Sequence, residues 1–494
     1  MPKTLTPHSL LPTLPTLPKG ARLWIAYSGG CDSTVLLHLL HQLQPQLQVE
    51  LHAIHIHHGL SPYADQWTEH CRDVCTGLNV PLVALKVNAK PQSGESPEDA
   101  ARRARYNAIT QQLAAGDYLC TAHHQDDQAE TLLLQLLRGA GPKGLAAMGV
   151  QSALGHATQL RPLLHLSREE IQRYAETHNL EWVDDHSNSD TSYNRNYLRH
   201  EVMPLLKQRW PAAARTISRS AEHCAEAAEL LEHLAGQDWQ QCRGGEESKI
   251  LPVRPELVEA CPELVEVGQV KTEPPQKRHD VINIAAMQSL PLARQKNLLR
   301  YWVGLNSLPL PSEIKLHHII NDAMNAAEDR MPCVTWPGAE VRRYDSQLHI
   351  MSPLPVIDSN TIIPWPDLAK PLPLPDGRTL MCVPTQQTPA LSASHLQQGN
   401  VTIRYRQGGE RLQPANSPHH KALKQIFQEQ RIPHWQRDRV PLVYVDEKLV
   451  AVVGICLTQA ALAINGEYAL MVVLEPKLNE GIAVARDFSD ILFS

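Results

Sequence analysis

RLWIAYSGGCDSTVLLHLLHQL, residues 22–43, decides the fold of this chain. A short apolar run ends at Tyr27, a turn of small and polar residues follows, and from Thr34 the apolar positions recur at helical spacing. The turn itself, Ser28-Gly29-Gly30-Cys31-Asp32-Ser33, has the chemistry of an anion cradle. Glycines let backbone N–H groups approach a phosphate, a helix N-terminus adds partial positive charge, and the Ser28 and Ser33 hydroxyls add donors. Asp32 would repel a phosphate unless a cation intervenes, which points to Mg²⁺ bridging its carboxylate to phosphate oxygens. The G-x-x-x-x-G-K-[ST] pattern is absent, which disfavours a Walker-type nucleotidase.

Outward from this stretch, strand-like and helix-like runs alternate: VELHAIHIHH, a helix around 67–78, LVALKV, a helix around 97–114, DYLCTAH and a helix over 125–137. Such alternation predicts an α/β domain with a doubly wound, mostly parallel sheet over residues 20–215. Residues 216–350 open on alanine-rich helical sequence and read as a mainly helical domain. Within it PELVE occurs twice, at 255–259 and 262–266, which marks 243–280 as an inserted loop. The proline-rich stretch 351–396 reads as linker or edge structure, and 397–494, with VTIRYR, PLVYVD and LVAVVGICL, as a small α+β domain. The first twenty residues, leucines interrupted by prolines, read as a flexible leader without the continuous apolar stretch of a signal peptide.

A second constellation, HHQDDQAET at 123–131, follows the strand DYLCTA and runs into a helix. Asp126 with Glu130 is i,i+4 and Asp127 with Glu130 is i,i+3, so the acidic groups project together near a helix start. In a doubly wound sheet that is the carboxyl end of a strand, where ligands bind. His55, His57, His58, His123 and His124 cluster nearby in sequence, and buried or site-edge roles fit them better than a zinc site.

Composition sets the limits. With 494 residues, and about 150 per domain, roughly three domains are expected. The formal net charge of −6 argues against coating nucleic acid through bulk charge, so a nucleic-acid reading must rest on local patches. Two such windows exist. Over 195–220, six basic residues (Arg195, Arg199, Lys207, Arg209, Arg215, Arg219) oppose Glu201 alone; over 402–440, eight basic residues oppose three acidic ones. Tyr405, Phe427 and Trp435 in the second window are candidates for base stacking or for core, with core favoured for Phe427. Ten cysteines without a C-x-x-C suggest reduced thiols and a cytoplasmic protein. The longest apolar run, Leu449–Leu457, is nine residues, against the roughly 18 a membrane span requires, so no membrane association is expected.

The Ser28–Ser33 loop resembles that of the N-type ATP pyrophosphatases. In order along the chain, His58-Gly59-Leu60, Glu98 through Arg102, Arg105 and Tyr106, HHQDDQAET, 137–141 with Gly144-Leu145, Arg161-Pro162-Leu163-Leu164, Asp185 with Ser187-Asn188, and Arg195-Asn196 with Arg199 narrow the resemblance. Arg406, 408–412, Lys424, Ile432-Pro433, Trp435, Arg437 and Pro441-Leu442 extend it towards the other end. Together they resemble the tRNA(Ile)-lysidine synthetase family, with the poorest match over 243–280. Tyr27, where a smaller apolar residue is usual, and the tandem PELVE stretch are departures.

The resemblance implies an enzyme that uses ATP to activate, by adenylation, the carbonyl at carbon 2 of the first anticodon cytidine of a CAU-anticodon isoleucine tRNA. Free L-lysine then joins through its side-chain amine, releasing AMP, and decoding changes from Met to Ile. It implies ATP binding by Ser28, Gly29, Gly30, Cys31, Asp32 and Ser33, with Mg²⁺ at Asp32, and catalytic roles for Asp32, Arg105, Asp127 and Glu130. Asp127 and Glu130 are expected to bind or deprotonate lysine, and Arg105, with Arg102 and Arg103 in competition, to stabilise the departing phosphate. Arg195, Arg199, Arg406, Arg411, Lys424 and Arg437 are expected to contact tRNA. Two alternatives stand: a tRNA sulfur transferase, which needs catalytic or cluster-binding cysteines, and a non-catalytic tRNA-binding protein, which predicts erosion of the acidic residues. The oligomeric state, a dimer included, is left open.

Overall fold

The computed structural model describes residues 5–57, 59, 62–88, 90, 97–184, 190–244, 281–327, 330–386, 388–464 and 467–475. His58, Leu60, Asp185, Ser187, Asn188, the Glu98 side chain and nearly all of the 243–280 insertion therefore lie outside the described residues. The chain divides into two compact units, 1–233 and 234–494.

In the first unit, β1 (Arg22–Ala26), α1 (Cys31–Leu47), β2 (Glu50–His57), α2 (Ala64–Gly77), β3 (Leu82–Lys86), α3 (Pro97–Gln112), β4 (Tyr118–Cys120) and α4 (Gln125–Leu137) succeed one another. After them come α5 (Pro142–Leu145), the hairpin β5 (Gln151–Leu154) and β6 (Ala157–Leu160), α6 (Arg168–Thr177), α7 (Asn194–Tyr197), a π-helical turn Leu198–Val202 and α8 (Met203–Arg209). The sheet order is β3-β2-β1-β4-β6-β5, with β5 antiparallel and the others parallel, as the alternation predicted. Strand alternation splits the core: Leu23, Ile25 and Tyr27 join α1 and α6 on one face, while Trp24 joins Ile109, Leu113 and Leu119 on the other. The order reverses between β1 and β4, because β2 lies on one side of β1 and β4 on the other. Their carboxyl ends therefore open a crevice, and both sequence constellations sit there.

Residues 5–20 are not the flexible leader expected. Pro7–Thr13 forms a 3-10 turn, and Leu5 and Leu10 are buried in the cluster that packs α1. The prolines that interrupt the leucines do not prevent this, because at the start of a helical turn, as at Pro7, the missing N–H has no intrahelical partner to lose.

A helix α9 (Ala213–Cys242) leads into the second unit. There β7 (Val281–Asn283), α10 (Ile284–Gln288), α11 (Leu292–Leu305), α12 (Glu313–His318), β8 (Cys333–Trp336), β9 (Ala339–Tyr344) and β10 (Gln347–Met351) pack around Trp302. The mainly helical domain expected over 216–350 thus carries an antiparallel sheet, order β7-β10-β9-β8. Its signals were short: two hairpins turning at Gly338, φ +85°, and Asp345, φ +52°.

The proline-rich 351–396 stretch, read as linker or edge structure, is largely edge structure: Ile363–Pro364, Leu372–Pro373 and Leu391–Ser392 each lie at the edge of a sheet. It supplies Ile363–Pro364, Leu372–Pro373, Thr379–Pro384 and Leu391–Ser392 as strands, and Trp365, Leu374, Leu380 and Leu391 enter one core with Val401, Ile403 and Val443. Each of Pro364, Pro373 and Pro384 ends a strand, where no ladder donor is required of it. No helix among the described residues is long and apolar enough to cross a membrane.

Candidate active site

Burial of Tyr27 and the turn after it fix the Ser28–Ser33 loop. Gly29 adopts φ +84°, and a Cβ there would lie 3.0 Å from both Cys71 Sγ and Val183 Cγ2, so only glycine fits. Gly30 is the N-cap of α1 with extended backbone, and the Ser28 and Ser33 hydroxyls stand 3.0 Å apart. Beneath the loop, the departure noted at Tyr27 is absorbed: its ring is buried and its hydroxyl is 3.4 Å from Thr34 Oγ1. His55 Nδ1 lies 2.9 Å from the Tyr27 carbonyl, and burial first, against that contact, lowers the His55 pKa, so the neutral ring donates. Among the described residues no group of three or more His, Cys, Asp or Glu could hold a metal ion.

Across the crevice α4 begins with its N-cap at His124. Asp127 accepts the His124 backbone N–H at 3.0 Å and closes the first turn. The His124 ring is buried between carboxylates: Nε2 is 3.6 Å from Asp32 and 3.5 Å from Asp127, and Nδ1 is 3.9 Å from Asp126. Burial pulls its pKa down, but Asp127 and Asp32 outweigh burial and raise it. His124 thus joins the loop to the acidic helix. The pair of adjacent histidines before Asp126-Asp127 was the signal for it, masked by reading the histidines as a group.

The acidic residues are not one patch. Asp126 turns to Lys207 Nζ at 2.6 Å and to the Arg168 backbone N–H at 3.1 Å. Asp127 and Glu130 form the other pair, Glu130 being 1% exposed. Arg195 donates to Glu130 at 2.9 Å and Asp127 at 3.0 Å; Arg199 donates to Glu130 at 2.7 and 2.9 Å and to Asp127 at 2.8 Å. Spacing i,i+4 sets both guanidinium groups on one face, matching the i,i+3 carboxylates. Burial would raise the Asp127 pKa, yet His124 and Arg195 hold it far below the ordinary carboxylate value. So Arg195 and Arg199, expected on an RNA-facing patch, direct their charge into the acidic pair.

Beside this pair runs a buried polar chain. Arg161 donates to Gln159 at 2.8 Å, Gln159 to Thr121 at 3.1 Å, and Thr121 Oγ1 lies 2.9 Å from His123 Nδ1. Burial, with Arg161, Arg195 and Arg102 against Asp127, pushes the His123 pKa down to about 4. Arg102 is thus the arginine of α3 felt at His123; it also lies 5.0 Å over the Tyr106 ring. Arg105 sits on the same helix, and burial first, with Arg102, lowers its pKa against Tyr106.

Residues 8–206 match a PP-loop domain model, 282–349 a TilS substrate binding domain and 401–474 a TilS substrate C-terminal domain. The chain is 40% identical to the tRNA(Ile)-lysidine synthase of Coxiella burnetii, covering 95% of this chain and 97% of that protein. It is 39% identical to the enzyme of the same name from Alkalilimnicola ehrlichii over 91% and 93%. The chain belongs to the tRNA(Ile)-lysidine synthase family.

Against that family frame, the basic residues of the last region divide. Arg411 and Lys424 are exposed, while Arg406 pairs with Asp438 at 3.2 Å and Arg437 Nε donates to the Ile432 carbonyl at 2.7 Å. Tyr405, Phe427 and Trp435 are all buried, which settles their place in the core. Cys31, inside the loop, is pushed up to about 11 by burial and then by Asp32, so a thiolate nucleophile is not available there near neutral pH.

Proposed function

We propose that this protein ligates L-lysine onto carbon 2 of the first anticodon cytidine of CAU-anticodon isoleucine tRNA, through an adenylated cytidine. The observation that carries this reading is the meeting of the phosphate loop and α4 at the sheet's switch point, where Asp32 and Asp127 share His124. ATP phosphates fit the turn at Gly29 and Gly30 and the N-terminus of α1. Asp32 is a single, third-exposed carboxylate in the first turn of α1, a donor set that suits Mg²⁺ arriving with nucleotide phosphates. Bound there, the ion would offset the charge of the phosphates.

The cytosine carbonyl oxygen attacks the α-phosphate and pyrophosphate leaves, giving carbon 2 a good leaving group. The lysine amine then attacks carbon 2 and AMP leaves. With a pKa of about 10.4, on the order of one lysine in a thousand is neutral near pH 7, so a carboxylate must orient the ammonium and take its proton. Glu130 and Asp127 suit that role, with one amendment from the geometry. Both are already paired with Arg195 and Arg199, so the ammonium enters by exchange, displacing one guanidinium. The arginines are about a quarter exposed in their side chains, which leaves room for that movement. The freed guanidinium is then a counter-charge for a phosphate.

Incubation with ATP, labelled lysine and the two CAU-anticodon tRNAs tests the reading. Label in isoleucine tRNA alone, with AMP and pyrophosphate released, is expected; sulfur incorporation, or no ATP-dependent product, overturns it.

A further inference from the structure

α8 ends at Arg209, and the chain turns through Trp210-Pro211-Ala212 into α9. The corner is firmly built: the Trp210 N–H donates to the Leu206 carbonyl at 2.7 Å and the Ala213 N–H to the Trp210 carbonyl at 2.8 Å. Its side chain nonetheless points to solvent, 60% exposed, at the mouth of a shallow groove of about 440 Å³. Leu206, Pro211, Thr216 and Ile217 line it beside Arg209 and Trp210. An exposed tryptophan forgoes the burial that normally stabilises so large a ring.

The charge around the groove says what covers it. Arg209, Arg215 and Arg219 are exposed, and none has an acidic partner within ion-pair distance among the described residues. The 30-residue α9 begins here without an acidic residue in its first turn, so its N-terminal partial charge is not offset locally. A flat π-face beside the unpaired Arg209 guanidinium, with Arg215 and Arg219 further along α9, suits a single-stranded nucleotide, base on the ring and phosphates on the arginines. Lys207, three residues before Trp210, reaches Asp126 in the first turn of α4 at 2.6 Å, which ties the corner to that helix.

We infer that Trp210 is a stacking platform for an unpaired base of the RNA substrate, with Arg209, Arg215 and Arg219 holding the adjacent phosphates. This rests on the proposed tRNA-modifying activity and locates where the loop bearing the target cytidine is gripped.

Binding of full-length protein to CAU-anticodon isoleucine tRNA, without ATP or lysine, tests it. Losing one base–aromatic stack weakens binding about 5- to 150-fold, so Trp210→Ala should do so while Trp210→Phe retains most of the affinity. The salt dependence should be unchanged in Trp210→Ala, whereas Arg209→Gln should lower its slope by about 0.7, the share of one single-stranded phosphate contact. Equal affinity for wild type and Trp210→Ala overturns the platform, as does sedimentation showing the groove occupied by a second copy of the chain. Failure of wild type to bind the tRNA at all would instead overturn the proposed function.

Discussion

Arg199→Gln tests the central claim about the site, that the carboxylates of Asp127 and Glu130 are buried charges held by guanidinium groups. Three charge-assisted hydrogen bonds are lost, to Glu130 twice and Asp127 once. Breaking a buried ion pair from one side costs about 3–5 kcal/mol because the remaining charge is stranded. Here Arg195 still contacts both carboxylates and Arg199 is 24% exposed in its side chain, which moderates the loss to about 2–3 kcal/mol. For a unit of this size that corresponds to about 5–10 °C in melting temperature. The assay is calorimetric melting of the full chain, with Arg72→Gln as internal control. Arg72 pairs with Glu69 at 2.9 Å, but both are more than half exposed, and such pairs contribute about 0–1 kcal/mol. Glu130→Gln added to Arg199→Gln should recover part of the loss, since it removes the stranded charge. If Arg199→Gln melts within 2 °C of the Arg72→Gln control, a difference of less than about 1 kcal/mol, the pairs are screened and the exchange route for lysine loses its basis.

Three further outcomes follow from the same geometry. Gly29→Ala, forced to φ +84° against Cys71 and Val183, should weaken ATP binding at least about tenfold, roughly 1.4 kcal/mol or more; unchanged nucleotide affinity in equilibrium dialysis would count against the cradle. Glu130→Gln should slow the lysine-dependent step far more than pyrophosphate release, so adenylated tRNA accumulates in a quenched time course; equal loss in both steps would refute the assignment. Stability should fall at both pH extremes. Asp126 and Asp127 are held below the ordinary value, Asp126 by Lys207 and Asp127 by His124 and Arg195, both against burial, so their contribution is full above about pH 4 and is lost as pH falls through their folded values. His124 is raised, so its contribution is full below about pH 6.5 and is lost as pH rises through its folded value. Urea midpoints against pH should therefore show an alkaline decline that His124→Asn removes; its persistence would point to another group.

How much of this was legible beforehand depended on sequence distance. The loop between β1 and α1 is local, and its chemistry could be read from six consecutive residues, Ser28–Ser33. The i,i+3 spacing of Asp127 and Glu130 was equally local. Their arginine partners lie 65 to 72 residues further on, so nothing in the spacing of Arg195 and Arg199 distinguishes an RNA-facing patch from a counter-charge. The sheet of the second unit was hidden for another reason. Its strands are three to six residues long, too short for alternation to compete with the helical stretches around them. Proline obscured both Pro7–Thr13 and the strands of 363–392, because its position at the end of an element shows only once the element is seen.

The burial of Leu5 and Leu10 against α1 has a practical consequence for anyone handling this polypeptide. A fusion partner or affinity handle that replaces the opening segment would strip apolar cover from α1, the helix that follows the proposed phosphate-binding turn. Full burial of one leucine contributes about 1.5–3 kcal/mol. Trimming at residue 20 therefore loosens the packing behind the proposed nucleotide turn, and a handle placed there belongs ahead of the segment rather than in its place.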